Sequence, residues 1–156
     1  MTHCTDGGHN MDQQYKKTLE RVHQLFATCS DPNQREGDNG WTVKEILGHL
    51  LDSLSNNHQR LSRYIANGNL DFPAYDQEIF VQRAHYDTFD FQTLLSIWYL
   101  YNHFLLHMID NIPTEHLTST ITIGDRPTIT LKELVKDYFA HMELHEQQVR
   151  RIKDAI

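Results

Sequence analysis

Histidine is the first residue type to raise a question of chemistry. It occupies 11 of 156 positions, enough to bring metal binding or proton transfer into view before any position is weighed. Two pairs stand at i, i+4, His103 with His107 and His141 with His145, where chance alone gives roughly one. Imidazoles one helical turn apart can grip a single cation if they point into the protein, and helical phase separates the two pairs. Advancing about 100° per residue, His103 and His107 fall about 140° to 180° from an apolar stripe centred near Leu94, on the solvent face. His141 and His145 fall within about 60° of the stripe made by Leu131, Tyr138, Met142 and Val149, and so point inward. Left alone inside, each imidazole would cost roughly 1 to 3 kcal/mol. A hydrogen bond to Tyr138, to a facing side chain or to water removes that cost as well as a metal does. A third ligand would decide between the two. An earlier helical segment holds two rivals, His49 at about 120° from its stripe centre and His58 at about 60°, and phase does not select His49.

Other reactive patterns fail on inspection. A zinc-protease helix needs a glutamate directly after its first histidine, where this chain has Met142. A di-iron bundle needs Glu-x-x-His on two helices, and only Glu20 with His23 has that spacing, with Glu20 off its stripe. Neither a glycine-rich phosphate loop nor a Gly-x-Ser-x-Gly elbow occurs, and Cys29 on an apolar face reads as a packed thiol.

The elements that must position these side chains are helices. Over residues 11–29, Met11, Tyr15, Leu19, Val22, Phe26 and Cys29 recur at threes and fours, the pattern of one amphipathic helix. A polar loop over 31–40 follows. Thr42 and Glu45 form a capping box that opens a second helix with the stripe Val43, Ile46, Leu47, Leu50, Leu54, Leu61 and Ile65, ended by Asn67, Gly68 and Asn69. Past Pro73, residues 75–85 predict a short helix or an ordered crossover. A third long helix spans 90–112, capped by Asp90 and stopped by Pro113, with Leu94, Ile97, Trp98, Tyr101, Leu105, Met108 and Ile112 facing inward. β-Branched runs at 118–123 and 127–130 predict a small β-hairpin. A second capping box, Thr130 with Glu133, opens the fourth long helix. The expected fold is all-α: a four-helix bundle with a long crossover between its second and third helices. Residues 1–10 read as a disordered leader, with His3 and His9 incidental, and 11–156 as one domain.

Composition narrows the partners. A formal charge of −7 argues against a nucleic-acid backbone or an anionic lipid surface. Two cysteines, Cys4 and Cys29, make no disulfide framework, and nothing near Met1 reads as a signal peptide, so a reducing cytoplasm is expected. The most apolar stretch, 94–109, is broken by Ser96, Asn102, His103 and His107 and is too interrupted for a membrane span.

Three motifs carry a family resemblance: Gly40-Trp41-Thr42-x-x-Glu45-Ile46-Leu47-Gly48-His49-Leu50, Pro73-Ala74-Tyr75-Asp76-Gln77-Glu78, and His141-x-x-x-His145. Together they resemble the DinB-like superfamily of four-helix bundles over roughly residues 12–152. That family includes metal-dependent hydrolases and thiol transferases of the bacillithiol and mycothiol type. The resemblance implies a divalent-metal site of His49, His141 and His145, taking Zn²⁺, Ni²⁺ or Mn²⁺ and leaving open positions. It implies a metal-dependent enzyme, a thiol S-transferase or hydrolase, acting on a small-molecule substrate, with a low-molecular-weight thiol as a candidate partner. The alternative is a non-catalytic bundle that binds metal or a small molecule. Asp52, three residues after His49, is the candidate catalytic residue that would hold an imidazole or a water, or else a solvated carboxylate opposite the stripe. Trp98, Tyr101 and Tyr138 are expected either to line a pocket or to be plain core. The apolar face of the third long helix, together with family habit, predicts a homodimer.

Overall fold

A computed structural model describes residues 8–155 of the chain. Four long helices, α1 (Gly8–Ala27), α2 (Val43–Arg63), α4 (Phe91–Asp110) and α5 (Leu131–Asp154), form the bundle, and a short α3 (Gln77–Ala84) lies in the crossover. Because α1 begins at Gly8, residues 8–10 belong to a helix rather than to a leader, and the rest of the expected leader lies outside the described residues.

Local chemistry sets the helix starts. The Thr42 hydroxyl accepts from the Glu45 N–H while the Glu45 carboxylate accepts from the Thr42 N–H, at 3.1 Å each. Thr130 and Glu133 do the same for α5, so both capping boxes satisfy donors that a helix start leaves orphaned. Asp90 caps α4 by accepting from the Thr93 N–H at 2.8 Å. Helix α2 packs against α3, α4 and α5, and α1 packs against α4 and α5. The interior is filled by Leu19, Val22 and Phe26 from α1, Ile46, Leu47 and Leu54 from α2, Leu94, Trp98 and Leu105 from α4, and Leu131, Met142 and Val149 from α5. Two stripe residues expected inside are not: Ile97 is 41% exposed and Ile65 52% exposed. Ile65 lies past the end of α2, so helical phase no longer governs it. Ile97 falls with Leu100 and Phe104 on the outer face of α4.

The predicted hairpin is present as β2 (Thr120–Ile123) and β3 (Ile129–Thr130), antiparallel with Ile121 opposite Ile129. It is part of a larger unit, because β1 (Asn69–Phe72) pairs in parallel with β2, Asn69 opposite Thr120 and Phe72 opposite Ile123. Parallel neighbours need a long connection, and the crossover with α3 and α4 provides it. The sheet therefore ties the C-terminal end of α2 to the N-terminal end of α5, across one end of the bundle. Two glycines make the close approaches possible. Gly124, at φ +55°, turns the chain after β2 in the left-handed region. A Cβ on Gly48 would lie 2.1 Å from the Tyr86 ring, so only glycine lets the crossover sit directly on α2.

Candidate metal centre

His49 lies in the second turn of α2, and His141 and His145 lie one turn apart on α5. The His49 Nε2 is 3.1 Å from the His141 Nε2, and the His145 Nε2 is 3.2 Å from the same atom. The rings cross at steep angles, 70° between His49 and each of the others and 79° between His141 and His145. Nitrogens sharing one ion at about 2.1 Å stand about 3.0 to 3.4 Å apart, so the two separations at His141 fit donors around a common cation, and all three donor atoms lie within 4.8 Å of one another. Hydrogen bonding alone accounts for the cluster poorly. Each ring nitrogen either donates or accepts, so His141 Nε2 could face both neighbours only through one shared proton or one shared lone pair.

The protonation state suits ligation. Burial, together with the neighbouring His145 and His141, lowers the pKa of His49 to about 3. Burial, His145 and Arg126 lower that of His141 to about 4. Burial also lowers that of His145, against a raising contribution from Gln148. All three imidazoles are therefore neutral at pH 7, each with one free lone pair. The Gln148 Oε1 lies 2.8 Å from His145 Nδ1. As an acceptor it holds the proton on Nδ1 and leaves Nε2 unprotonated toward the cluster, the usual support for a ligating histidine. The Trp41 ring lies 4.8 Å from His49, centroid to centroid, and its Nε1 donates to Glu78 at 3.2 Å. The loop before α2 and the start of α3 thus meet beside the site. His49 Nδ1 is buried with no hydrogen-bond partner among the described residues. Among the described residues, the three histidines form the one group of metal-binding side chains able to share an ion.

His49 is 1% exposed although it lies on the flank of its apolar stripe. The reason is that α2 is central and covered on two sides. A second buried row, His49, Ser53, Asn57 and Arg60 at spacings of four, four and three, runs beside the apolar one. That spacing was visible in the sequence, but its polar character reads as a solvated face until α5 and the crossover are seen to cover it. His58 does not join the cluster. It hydrogen-bonds the Tyr101 hydroxyl and meets Phe104 edge-on. His103 and His107 are exposed, as phase predicted.

Asp52 is not the solvated carboxylate of the alternative expectation. It is 9% exposed rather than solvated, and its Oδ1 accepts from the Tyr86 hydroxyl at 2.6 Å, not from an imidazole. One turn past Gly48 on α2, it faces the crossover segment that Gly48 admits. Its Oδ2 is buried without a partner, and burial raises the carboxyl pKa to about 6 despite the Tyr86 bond.

Beside the histidines lies a cavity of about 600 Å³ with His141 in its wall, together with Ser53, Asn57, Arg60, Arg126 and Tyr138. Of the three aromatic residues considered for the lining, only Tyr138 is there, its hydroxyl donating to Asn102 at 2.6 Å. Trp98 is fully buried core, and Tyr101 is bonded to His58.

The sequence matches no protein-family model and no curated protein. Solved structures share its fold, among them these two. YfiT from Bacillus subtilis, described as a probable metal-dependent hydrolase with an unusual four-helix bundle topology, aligns with a TM-score of 0.79 at 17% identity over 99% of this chain and 91% of its own. The mycothiol-dependent maleylpyruvate isomerase aligns with a TM-score of 0.67 at 10% identity over 91% of this chain. The fold is theirs. The chain spans 60% of the isomerase. Among the described residues, no helix is long and apolar enough to cross a membrane.

Proposed function

We propose that this protein is a metal-dependent enzyme of the thiol S-transferase or hydrolase class, with His49, His141 and His145 holding one divalent ion. The observation that carries the reading is the convergence of three neutral imidazole nitrogens, with spacings of 3.1 and 3.2 Å at His141. A fold shared with a probable metal-dependent hydrolase and a thiol-dependent isomerase supports the same class. Such an ion supplies Lewis acidity, making a water or a thiol more acidic or polarising an electrophile. The chain's own residues position and exclude. Gln148 orients His145, Trp41 covers His49, and the cavity admits a small molecule to the side of the cluster where His141 forms part of the wall. A reducing cytoplasm would keep a low-molecular-weight thiol available as the second substrate. The outer face of α4, with Ile97, Leu100 and Phe104 exposed, is the surface through which a homodimer would form, and light scattering reads that directly.

The test begins with metal. Equilibrium dialysis against Zn²⁺, Ni²⁺ and Mn²⁺ is expected to give about one equivalent bound to the wild type. His141→Ala should bind at least about 100-fold more weakly, since loss of a ligand exceeds the effect of losing a supporting residue. Equal metal binding by the two proteins would sink the reading. The loaded protein is then offered a thiol with an electrophile, and separately an ester. Tight metal binding with neither substrate consumed would leave a non-catalytic metal-binding bundle.

A further inference from the structure

Arg60 is buried at 6% exposure on α2, and among the described residues no carboxylate pairs with it. Its Nε is buried with no hydrogen-bond partner. Among the described residues its one hydrogen bond is a long contact from Nη1 to the Asn57 side chain at 3.5 Å, and its guanidinium sits 5.2 Å from the centre of the Phe72 ring. A stacked, braced guanidinium keeps its edge free, and that edge is a planar fork of N–H donors. Arg60 lines the cavity that also contains His141. A second guanidinium, Arg126 from the turn between β2 and β3, lines the same cavity, and its charge is felt at both Arg60 and His141. Asp137, also in the lining, makes no ion pair with either arginine.

Burying a cation without a counter-ion is costly, and folded chains supply a partner where the group is structural. The buried, unpaired Arg60 with a second, exposed guanidinium beside it at one cavity, in a chain of net charge −7, amounts to a site waiting for an anion. We propose that the cavity takes a carboxylate-bearing substrate, its acid group held by Arg60 and Arg126 and the rest of the molecule extending toward the histidines. The planar fork of Arg60 matches a planar carboxylate through two parallel N–H donations. The Asn57 amide, the Ser53 hydroxyl and the Tyr75 phenol line the space between as further polar contacts. Arg60 lies eleven residues after His49 on the same helix, about 16 Å of helical rise between their backbones, so the acid group is held apart from the histidines and not among them. This inference deepens the proposed metal-enzyme reading, because it names the substrate class of that site. Anion binding by the arginines can nevertheless be measured without the metal.

The experiment titrates adipate into metal-free and zinc-loaded protein by calorimetry, with neutral adipamide and inorganic phosphate as separate arms. Adipate is expected to bind the metal-free wild type, and Arg60→Gln and Arg126→Gln each to weaken it about tenfold, the loss of one charge-assisted hydrogen-bonded contact. Arg60→Lys, which keeps the charge but not the fork, should recover only part of the loss. Arg126 is exposed, so its variant gives an answer even if the Arg60 variants fold poorly. Both glutamine variants should bind zinc as the wild type does, and His141→Ala should retain metal-free adipate binding. If zinc fails to bind but adipate binding still depends on the arginines, the metal reading falls and this one stands. Equal binding of adipate and adipamide, or no loss in either glutamine variant, overturns the proposal. Tighter arginine-dependent binding of phosphate than of adipate overturns the carboxylate assignment.

Discussion

Helix α5 sends polar side chains inward on two sides, and the two sides are finished differently. Toward α1, Glu146 is 1% exposed, and its carboxylate accepts from Arg21 Nε and Nη2 at 2.8 and 3.0 Å and from Arg150 Nη2 at 2.8 Å. Burial alone would raise its pKa, but the two arginines outweigh that and hold it below the usual carboxylate value. Toward α2, its neighbour His145 joins His141 and His49 with lone pairs converging, and the cavity alongside holds the unpaired Arg60. The anion is closed off by its own chain; the cation and the lone pairs are not. Buried polar groups in folded proteins are nearly always partnered, so the closed side is architecture, and the open side is where partners from outside are expected.

Acid should strike the open side hardest. The three histidines have lowered pKa values in the fold, so below their ordinary value the unfolded chain binds more protons and stability falls as pH falls. Each contributes up to about 1.4 kcal/mol per pH unit between pH 6.5 and its folded value. Urea unfolding of metal-free protein from pH 7 to 5 should show this loss, and substituting glutamine at all three positions should flatten it. An unchanged slope would mean that the imidazoles are not buried neutral. On the closed side, Glu146→Gln is expected to lower stability by about 2 to 3 kcal/mol, since two arginines lose a charged acceptor. Metal affinity should not move. A parallel loss of zinc binding would show that the two sides are coupled and the contrast is false.

Asp52→Asn tests the crossover contact near the open side. The asparagine oxygen still accepts from Tyr86, while the buried charge is gone. With a folded pKa raised to about 6, the native carboxyl holds its proton longer than the unfolded one, so the wild type loses stability as pH rises from about 4 to 6. The variant should gain about 1 to 2 kcal/mol at pH 8 and almost nothing at pH 4, read from urea midpoints at the two pH values. The smallest effect is expected at Arg60. Arg60→Met removes an unpaired buried cation and keeps much of its apolar stem, so stability should stay level or rise by up to about 1 kcal/mol. A large loss on that substitution would make Arg60 a structural residue like Glu146.

Much of this arrangement was legible in the residues. Both capping boxes, the stripes of the long helices, the crossover helix and the inward turn of His141 and His145 follow from spacings of three and four within single elements. The assignment of His49 came through the family resemblance and not through phase, which favoured His58. The Tyr86 partner of Asp52 was hidden, because nothing in the neighbourhood of Asp52 along the chain announces a residue 34 positions away. The parallel partner of β2 was equally hidden, since β1 and β2 are about fifty residues apart.

Sequence by itself determined what each helix keeps from water along its apolar stripe, because that periodicity is a property of one segment and its hydrogen-bond geometry. Tertiary structure alone decided what covers the second side of α2. A row of polar residues there is equally compatible with solvent, with a paired network or with a cavity, and only the packing of α5 and the β2–β3 turn against it turned His49 toward two imidazoles and left Arg60 without an acid.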